Sequence, residues 1–143
     1  MRGRANSLDS LLSMEKRGGK QKRRILGIDP GFGRLGYAIL ETQEGALNLI
    51  KSDCVETSSK KSRHERLLDI ANNIDNIIKK YNPEVVAIER VFFAKNQKTA
   101  LDVSEVKGVM SYLALSKKLL YLKLHFLRVI AIQAFFFLDW LIE

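Results

Sequence analysis

The chain has few of the residues that build covalent or metal cross-links, with one cysteine and two histidines among its 143 residues. The single cysteine, Cys54, excludes an intramolecular disulfide and a cysteine-based metal site, and it favours a reducing compartment such as the cytoplasm. The longest uncharged apolar run near the C-terminal end, at 129–138, falls well short of the roughly 20 residues that a membrane span needs. Residues 1–22 also lack the apolar core of a secretory signal. We therefore expect a cytoplasmic protein that does not enter a membrane.

Positive charge is concentrated at the start of the chain. The net charge is +8, and residues 1–24 hold eight Lys/Arg against two acids, so the other 119 residues carry only +2. Residues 1–22 are rich in Arg, Lys, Gly and Ser and show no sustained hydrophobic period, which predicts a disordered basic arm. Such an arm is either a solvated tail or a segment that grips nucleic-acid phosphates, and composition leaves both readings open.

Three strands are predicted before the first helix. Residues 24–29 form an apolar run that ends in an acid and is followed by Pro30-Gly31, which indicates a buried strand closed by a turn. Residues 36–41 and 46–55 are β-like, and the Glu44-Gly45 turn between them predicts a hairpin. The chain therefore opens with strands that can pair in antiparallel fashion.

A helix, a fourth strand and a second helix are predicted next. At 62–81, apolar residues recur at steps of three and four, and Ser62 with Glu65 predicts a capping box. The β-branched run at 85–89 suits a strand that is buried on both faces and is therefore parallel. Asn96 can cap a second helix. Its predicted apolar stripe consists of Ala100, Val103, Val106, Val109, Met110, Leu113 and Ala114.

Two acids stand at corresponding ends of two predicted strands. The helix at 62–81 is the crossover that lets the strands ending in Asp29 and Glu89 pair in parallel. Both acids then emerge at the carboxyl edge, where open α/β sheets place their ligands. Two buried carboxylates a few ångströms apart repel unless a cation lies between them, and oxygen-only ligands favour Mg²⁺ or Mn²⁺. The alternative is that both acids are ordinary surface turn residues.

Several short motifs resemble the RuvC family of Holliday-junction resolvases, which are crossover junction endodeoxyribonucleases of ribonuclease H-like fold. The resemblance covers roughly 24–113. The matching motifs are Ile25 to Gly31 (Ile-Leu-Gly-Ile-Asp-Pro-Gly), Gly36-Tyr37, Ala87 to Asn96 (Ala-Ile-Glu-Arg-Val-Phe-Phe-Ala-Lys-Asn), Ala100-Leu101 and Glu105 to Val109 (Glu-Val-Lys-Gly-Val).

The resemblance implies a function and a set of site residues. Asp29 and Glu89 match the first two acids of a four-carboxylate, magnesium-binding centre, with Mn²⁺ as a possible substitute. Phe92 matches the aromatic residue that the family places against bases at the junction centre, and stacking on bases is a role physically open to it. Lys95 and Asn96 begin a helix whose N-terminus can hold a phosphate. The resemblance also implies four-way junction DNA as substrate, roles in DNA recombination and repair, a homodimer, and branch-migration helicase machinery as a possible partner.

The later part of the chain departs from the family pattern. We expect a basic arm at 1–22, a partial ribonuclease H-like nuclease domain at 23–118, and a divergent apolar tail at 119–143. The two late aspartates of the family are not recognisable, and Asp139 alone does not replace them. We expect a change of reading frame near Lys117-Lys118, which sequencing of the gene tests.

The missing acids leave three functions open. The first is a junction endonuclease, and whether this short form is active or inactive is left open by the sequence. The second is a non-catalytic fragment that binds junctions or other nucleic acid. The third is a fragment of an actin-like or sugar-kinase-type ATPase, because that fold also opens with a strand, an acid and a glycine turn.

Overall fold

The computed structural model describes residues 22–44, 46–89 and 97–124. The elements in these ranges lie within two residues of most of the predicted bounds. Their order is β1 (Arg23–Asp29), β2 (Arg34–Gln43), β3 (Ala46–Glu56), α1 (Arg63–Tyr81), β4 (Val85–Glu89), α2 (Gln97–Ser116) and β5 (Leu120–Leu124). The basic arm at 1–21 and the segment at 125–143 lie outside the described residues.

The described strands form one mixed sheet in the order β3-β2-β1-β4-β5. β1 pairs antiparallel with β2 and β2 pairs antiparallel with β3, as the hairpin pattern predicts. β4 pairs parallel with β1 on one side and with β5 on the other. The predicted α/β class with a mixed sheet is confirmed. β5 lies beyond residue 118, where the sequence places the limit of the domain, and it belongs to the same sheet.

Helix α1 has the ends that its sequence predicts. The Ser62 side chain accepts a hydrogen bond from the Glu65 backbone N–H, and Glu65 accepts one from the Ser62 backbone N–H at 2.7 Å, so the capping box is confirmed. The helix stops at Asn82, a left-handed residue with φ of 49° whose N–H donates to the Ile78 carbonyl. Because Pro83 follows directly, the chain turns here into β4.

The main core lies between one face of the sheet and the two helices. Its buried members from the helices are Ile70, Ile74, Ile78, Val106, Met110 and Ala114, and those from the strands include Leu26, Ile28, Ile39, Val86 and Ile88. Side chains alternate along a strand, so the residues between these point to the other face. That face carries a smaller cluster of Ile25, Leu40, Val85 and Ala87, flanked by Leu49 and Leu122. Among the described residues this second cluster contains strand residues only.

Neither α1 nor α2, the two helices in the described ranges, combines the length with the hydropathy that crossing a bilayer demands.

Candidate active site

Asp29 and Glu89 lie side by side at the carboxyl edge of the sheet. β1 and β4 run parallel with Ile28 opposite Ile88, and the two acids are the next residues along each strand. On its other side, Asp29 is paired with Gly36 of β2, which has no side chain to crowd the acid. The structure therefore brings together the two residues on which the sequence argument depends.

The alternation of the strands places both acids on the face that carries the smaller cluster. Asp29 lies four residues after Ile25, and Glu89 lies four residues after Val85. Because alternate residues of a strand point to the same face, each acid shares a face with those apolar residues. Both acids are half-buried. The two carboxyl groups therefore lie on the face of the sheet opposite the one that packs against α1 and α2.

The two carboxyl groups perturb each other. Burial raises the pKa of Glu89 above its ordinary value, and the charge of Asp29 together with a hydrogen bond between the two carboxyl groups raises it further. A hydrogen bond between two carboxyl groups needs a proton between them, because an ionised carboxylate only accepts. Without a proton or a cation in that place, the pair holds two like charges at close range.

Lys107 of α2 acts on the pair in the opposite direction. Its positive charge lowers the pKa of Glu89 and so offsets part of the effect of Asp29. Lys107 is half-buried beside Val106, one helical turn from Met110, on the edge of the core-facing side of α2. The sequence patterns did not predict a role for Lys107, although its place next to the apolar stripe of α2 was the available signal.

The turn that follows Asp29 is held in a tight conformation. A Cβ atom added to Gly31 would lie 2.0 Å from the Arg34 carbonyl oxygen, so this position requires glycine. Thr57, which directly follows β3, holds the two residues after Gly31, Phe32 and Gly33. Its hydroxyl donates to the Phe32 carbonyl at 2.8 Å, and its backbone N–H donates to the Gly33 carbonyl at 3.0 Å.

The pair offers an incomplete set of metal ligands. Two carboxylates supply oxygen atoms, the donors that Mg²⁺ and Mn²⁺ prefer, and their mutual repulsion favours a cation between them. In the described ranges no three or more histidine, cysteine or acidic side chains come together as a metal site. The residues present fit a divalent ion but fill only part of its coordination sphere.

The remaining predicted site residues cannot be compared with the geometry. Phe92, Lys95 and Asn96 lie outside the described residues, as does Asp139. Their roles stay predictions. The segment that holds the first three directly follows β4 and precedes α2.

Comparison with known proteins places this geometry in a family context. The family model described as "Crossover junction endodeoxyribonuclease RuvC" matches residues 25–132, beyond the limit near 113 that the motifs indicate. A protein of that name from Brachyspira hyodysenteriae is 46% identical over 85 residues, which cover 59% of this chain and 53% of the relative. One from Petrotoga mobilis is 43% identical over 86 residues, or 60% of this chain and 53% of the relative. The chain spans about half the length of the curated relatives it matches.

Solved structures show the same fold. The Thermus thermophilus RuvC structure gives a TM-score of 0.64 at 27% identity and covers 71% of this chain and 63% of that chain. The structure described as T. thermophilus RuvC in complex with Holliday junction substrate gives a TM-score of 0.68 at 23% identity, covering 75% and 67% of the two chains. Both likenesses support the predicted ribonuclease H-like fold.

Proposed function

The chain belongs to the RuvC family, whose model matches residues 25–132, and from this premise we propose that it acts as a crossover junction endodeoxyribonuclease. Its substrate would be the four-way junction of DNA recombination and repair, and its reaction the metal-dependent hydrolysis of phosphodiester bonds. The observation that carries the proposal is the placement of Asp29 and Glu89 at the ends of two paired parallel strands. A half-buried, mutually repelling acid pair at the carboxyl edge of a sheet is typical of a site built for a cation.

Asp29 and Glu89 would hold the ion, which we propose to be Mg²⁺, with Mn²⁺ as a substitute. A divalent ion bound there supplies a Lewis acid and an activated water for hydrolysis. The chain's own contribution is to orient the two carboxylates and to limit the water around them. The charge of Lys107 also favours the ionised form of Glu89 and so offsets part of the effect of burial and of Asp29. One cysteine and a DNA substrate are both in keeping with a cytoplasmic protein.

The proposed DNA contacts come from the segment between β4 and α2. Phe92 would stack on a base at the centre of the junction, and Lys95 with Asn96 would bind a phosphate near the start of α2. The basic arm at 1–22 would add contacts to the phosphate backbone that weaken with salt. Substitution of Phe92 by alanine should therefore lower junction affinity without changing affinity for the metal ion.

An exposed stripe on α2 is our candidate for the homodimer interface. Leu101, Tyr112 and Leu115 are 66%, 71% and 65% exposed, and their spacing puts them on one face of the helix. Gly108 lies on the same face, and a Cβ there would have nothing within 4 Å, so a second helix can approach closely. Tyr112→Glu should convert a dimer to a monomer in sedimentation. Leu68→Glu, at a residue of α1 that is 60% exposed, is the matched control and should not.

Cleavage of a synthetic four-way junction tests the main proposal. The full chain should nick the junction in Mg²⁺ and not in EDTA, and a linear duplex of the same sequence should stay intact. Asp29→Asn and Glu89→Gln should each lower the rate by orders of magnitude, because carboxylates that share an ion act as one unit. Absence of both binding and nicking by the wild-type chain would refute the assignment.

A non-catalytic junction-binding protein is the second candidate. The described residues bring two carboxylates together but no third ligand, and this favours a weak or absent hydrolytic activity. The same assay separates the candidates. Junction binding without nicking in either Mg²⁺ or Mn²⁺ would leave only the binding function.

A further inference from the structure

Two arginines of α1 contact the turn that follows Asp29. The guanidinium carbons of Arg63 and Arg66 both lie 4.6 Å from the centre of the Phe32 ring. Phe32 is 9% exposed, so its ring is largely removed from water, while the Arg63 side chain is 38% exposed. Cation–π attraction is stronger where the ring is shielded from water.

Arg66 also reaches the backbone of the same turn through a second residue. Its Nε–H donates to the Thr57 hydroxyl oxygen at 2.9 Å, and that hydroxyl donates to the Phe32 carbonyl at 2.8 Å. The side chain of Arg66 therefore holds Phe32 from two directions, at the ring and, through Thr57, at the carbonyl. A turn of this kind has no regular strand partner for these groups, so its conformation depends on such contacts.

Arg63 extends the network to α2. Its Nη2 lies 2.6 Å from Asp102 Oδ1 and 2.9 Å from Glu105 Oε2, and its Nε–H donates to the same Glu105 oxygen at 3.0 Å. Asp102 and Glu105 belong to α2, the described element that comes after β4. One side chain thus joins the turn beyond Asp29 to the helix beyond Glu89.

We propose that Arg63 and Arg66 are positioning residues that fix the placement of Asp29 relative to Glu89. The proposal rests on the proposed function, because it assigns the arginines a purpose at the same acid pair. A carboxylate that shares an ion with another must be held to a fraction of an ångström, and Asp29 is followed directly by a turn. The first turns of α1 carry the two arginines, which contact this turn and, through Arg63, also α2. The arginines act through the turn and through α2 and do not touch the ion.

A contact with DNA phosphate is the competing role for these arginines. Surface arginines near a nuclease site commonly bind the backbone, and their loss lowers affinity and the salt dependence of binding. Here the guanidinium groups already have protein partners, three for Arg63 and two for Arg66. The two roles differ in their effect on metal binding when no DNA is present.

The test measures Mn²⁺ affinity of the full-length chain by calorimetry without DNA, and junction affinity in EDTA. Arg66→Ala should weaken Mn²⁺ binding about tenfold and leave junction affinity within about twofold, and Arg66→Lys should recover part of the loss. Thr57→Val removes the hydroxyl without changing the charge or the size of the side chain, and it should weaken Mn²⁺ binding as well. Arg23→Ala is the matched control, since Arg23 pairs with Glu84 at the opposite edge of the sheet. It should leave both affinities unchanged.

Amide hydrogen exchange keeps the proposal separate from the assignment of function. In Thr57→Val and Arg66→Ala, exchange at residues 31–35 should be at least about tenfold faster than in the wild type, whether or not the chain binds Mn²⁺. Failure of the wild type to bind Mn²⁺ would count against the proposed function alone. The positioning role would be overturned if amide exchange in Thr57→Val were unchanged. It would also be overturned if the wild type binds Mn²⁺ and both variants bind it with unchanged affinity, or if the variants lose junction affinity in EDTA while their Mn²⁺ affinity stays the same.

Discussion

Replacing Asp29 with asparagine should make the metal-free protein more stable while removing its response to metal. Asp29 and Glu89 lie on adjacent paired strands, and the charge of Asp29 raises the pKa of Glu89. Asparagine keeps the size of the side chain and can still hydrogen-bond to Glu89, but it removes the like charge. Because the two like charges repel each other when no cation is bound, removing one of them should increase the free energy of unfolding of the metal-free protein.

The size of the gain follows from the strand spacing. Adjacent strands are about 4.8 Å apart, and two unit charges at about 5 Å repel by about 0.8 kcal/mol in water and about 3 kcal/mol at an effective dielectric constant of 20. Because both carboxyl groups are half-buried, we expect about 1 kcal/mol for Asp29→Asn. For a domain of this size that is a rise in Tm of a few degrees.

Thermal unfolding at pH 7.5, in EDTA and in excess Mg²⁺ or Mn²⁺, measures both effects. The Tm of the wild type should rise when the ion is added. The Tm of Asp29→Asn should be higher than that of the wild type in EDTA and should not rise with the ion. The control is Asp53→Asn. Asp53 Oδ2 lies 3.2 Å from Lys51 Nζ, and Asp53 Oδ1 accepts a hydrogen bond from the Cys54 N–H at 2.8 Å. That substitution removes attraction and should lower Tm while the metal response remains.

The pH dependence of the gain has a fixed sign. The folded pKa of Glu89 is raised, so ionisation of Glu89 costs stability as pH rises through that pKa. The advantage of Asp29→Asn should therefore be present above this pKa and disappear below it, where protonation already removes the repulsion. The reasoning is refuted if Asp29→Asn unfolds at a lower temperature than the wild type in EDTA and still gains Tm with the ion.

Three further predictions concern the fold around the site. Gly31→Ala should destabilise by about 2 kcal/mol or more and weaken Mn²⁺ binding in calorimetry, because its Cβ would meet the Arg34 carbonyl oxygen at 2.0 Å. Glu41→Gln should reduce the loss of stability in acid. Hydrogen bonding to Arg24 lowers the pKa of Glu41, so the stabilisation that Glu41 contributes is complete above its unfolded pKa and is lost as pH falls through its folded pKa. Urea unfolding between about pH 3 and 6 would show this difference. Met110→Ala should cost about 2–5 kcal/mol in the same assay, since Met110 is 1% exposed in the main core, and a smaller cost would mean that α2 does not seal this face.

The sequence predicted those elements whose signals are local. The run Val85–Glu89 ends in an acid and has the bounds of β4, and the capping box at Ser62 starts α1. The pairing of Asp29 with Glu89 was also predictable, because a helix between two strands restricts them to a parallel arrangement. In each case a short stretch of chain or a rule of connection was sufficient.

The parts that were not predicted depend on contacts between distant segments. Arg63 and Arg66 occupy the polar side of an amphipathic helix, where the periodic pattern predicts only solvent, and their partner Phe32 is about 30 residues away. Lys107 likewise acquires its role only when α2 packs beside β4. The change of register between Ile39 and Leu40, where β2 pairs with β3, has no signal in the residues themselves.

The match to the family past residue 118 bears on the expected change of reading frame. The family model continues through 132, and β5 pairs with β4 beyond Lys118. Neither observation supports a shifted frame at Lys117-Lys118. Sequencing of the gene remains the direct test of that expectation.

The order of the described strands has a further consequence. β1 is the central strand, and β4 lies next to it with β5 on its outer side, so we expect both acids to lie on the part of the sheet whose amide protons exchange last. Partial opening at the outer strands should therefore leave the acid pair in place. Destabilising substitutions away from the acids and from the turn that follows Asp29, such as Met110→Ala, should reduce the number of folded molecules and leave each folded molecule with its full metal affinity.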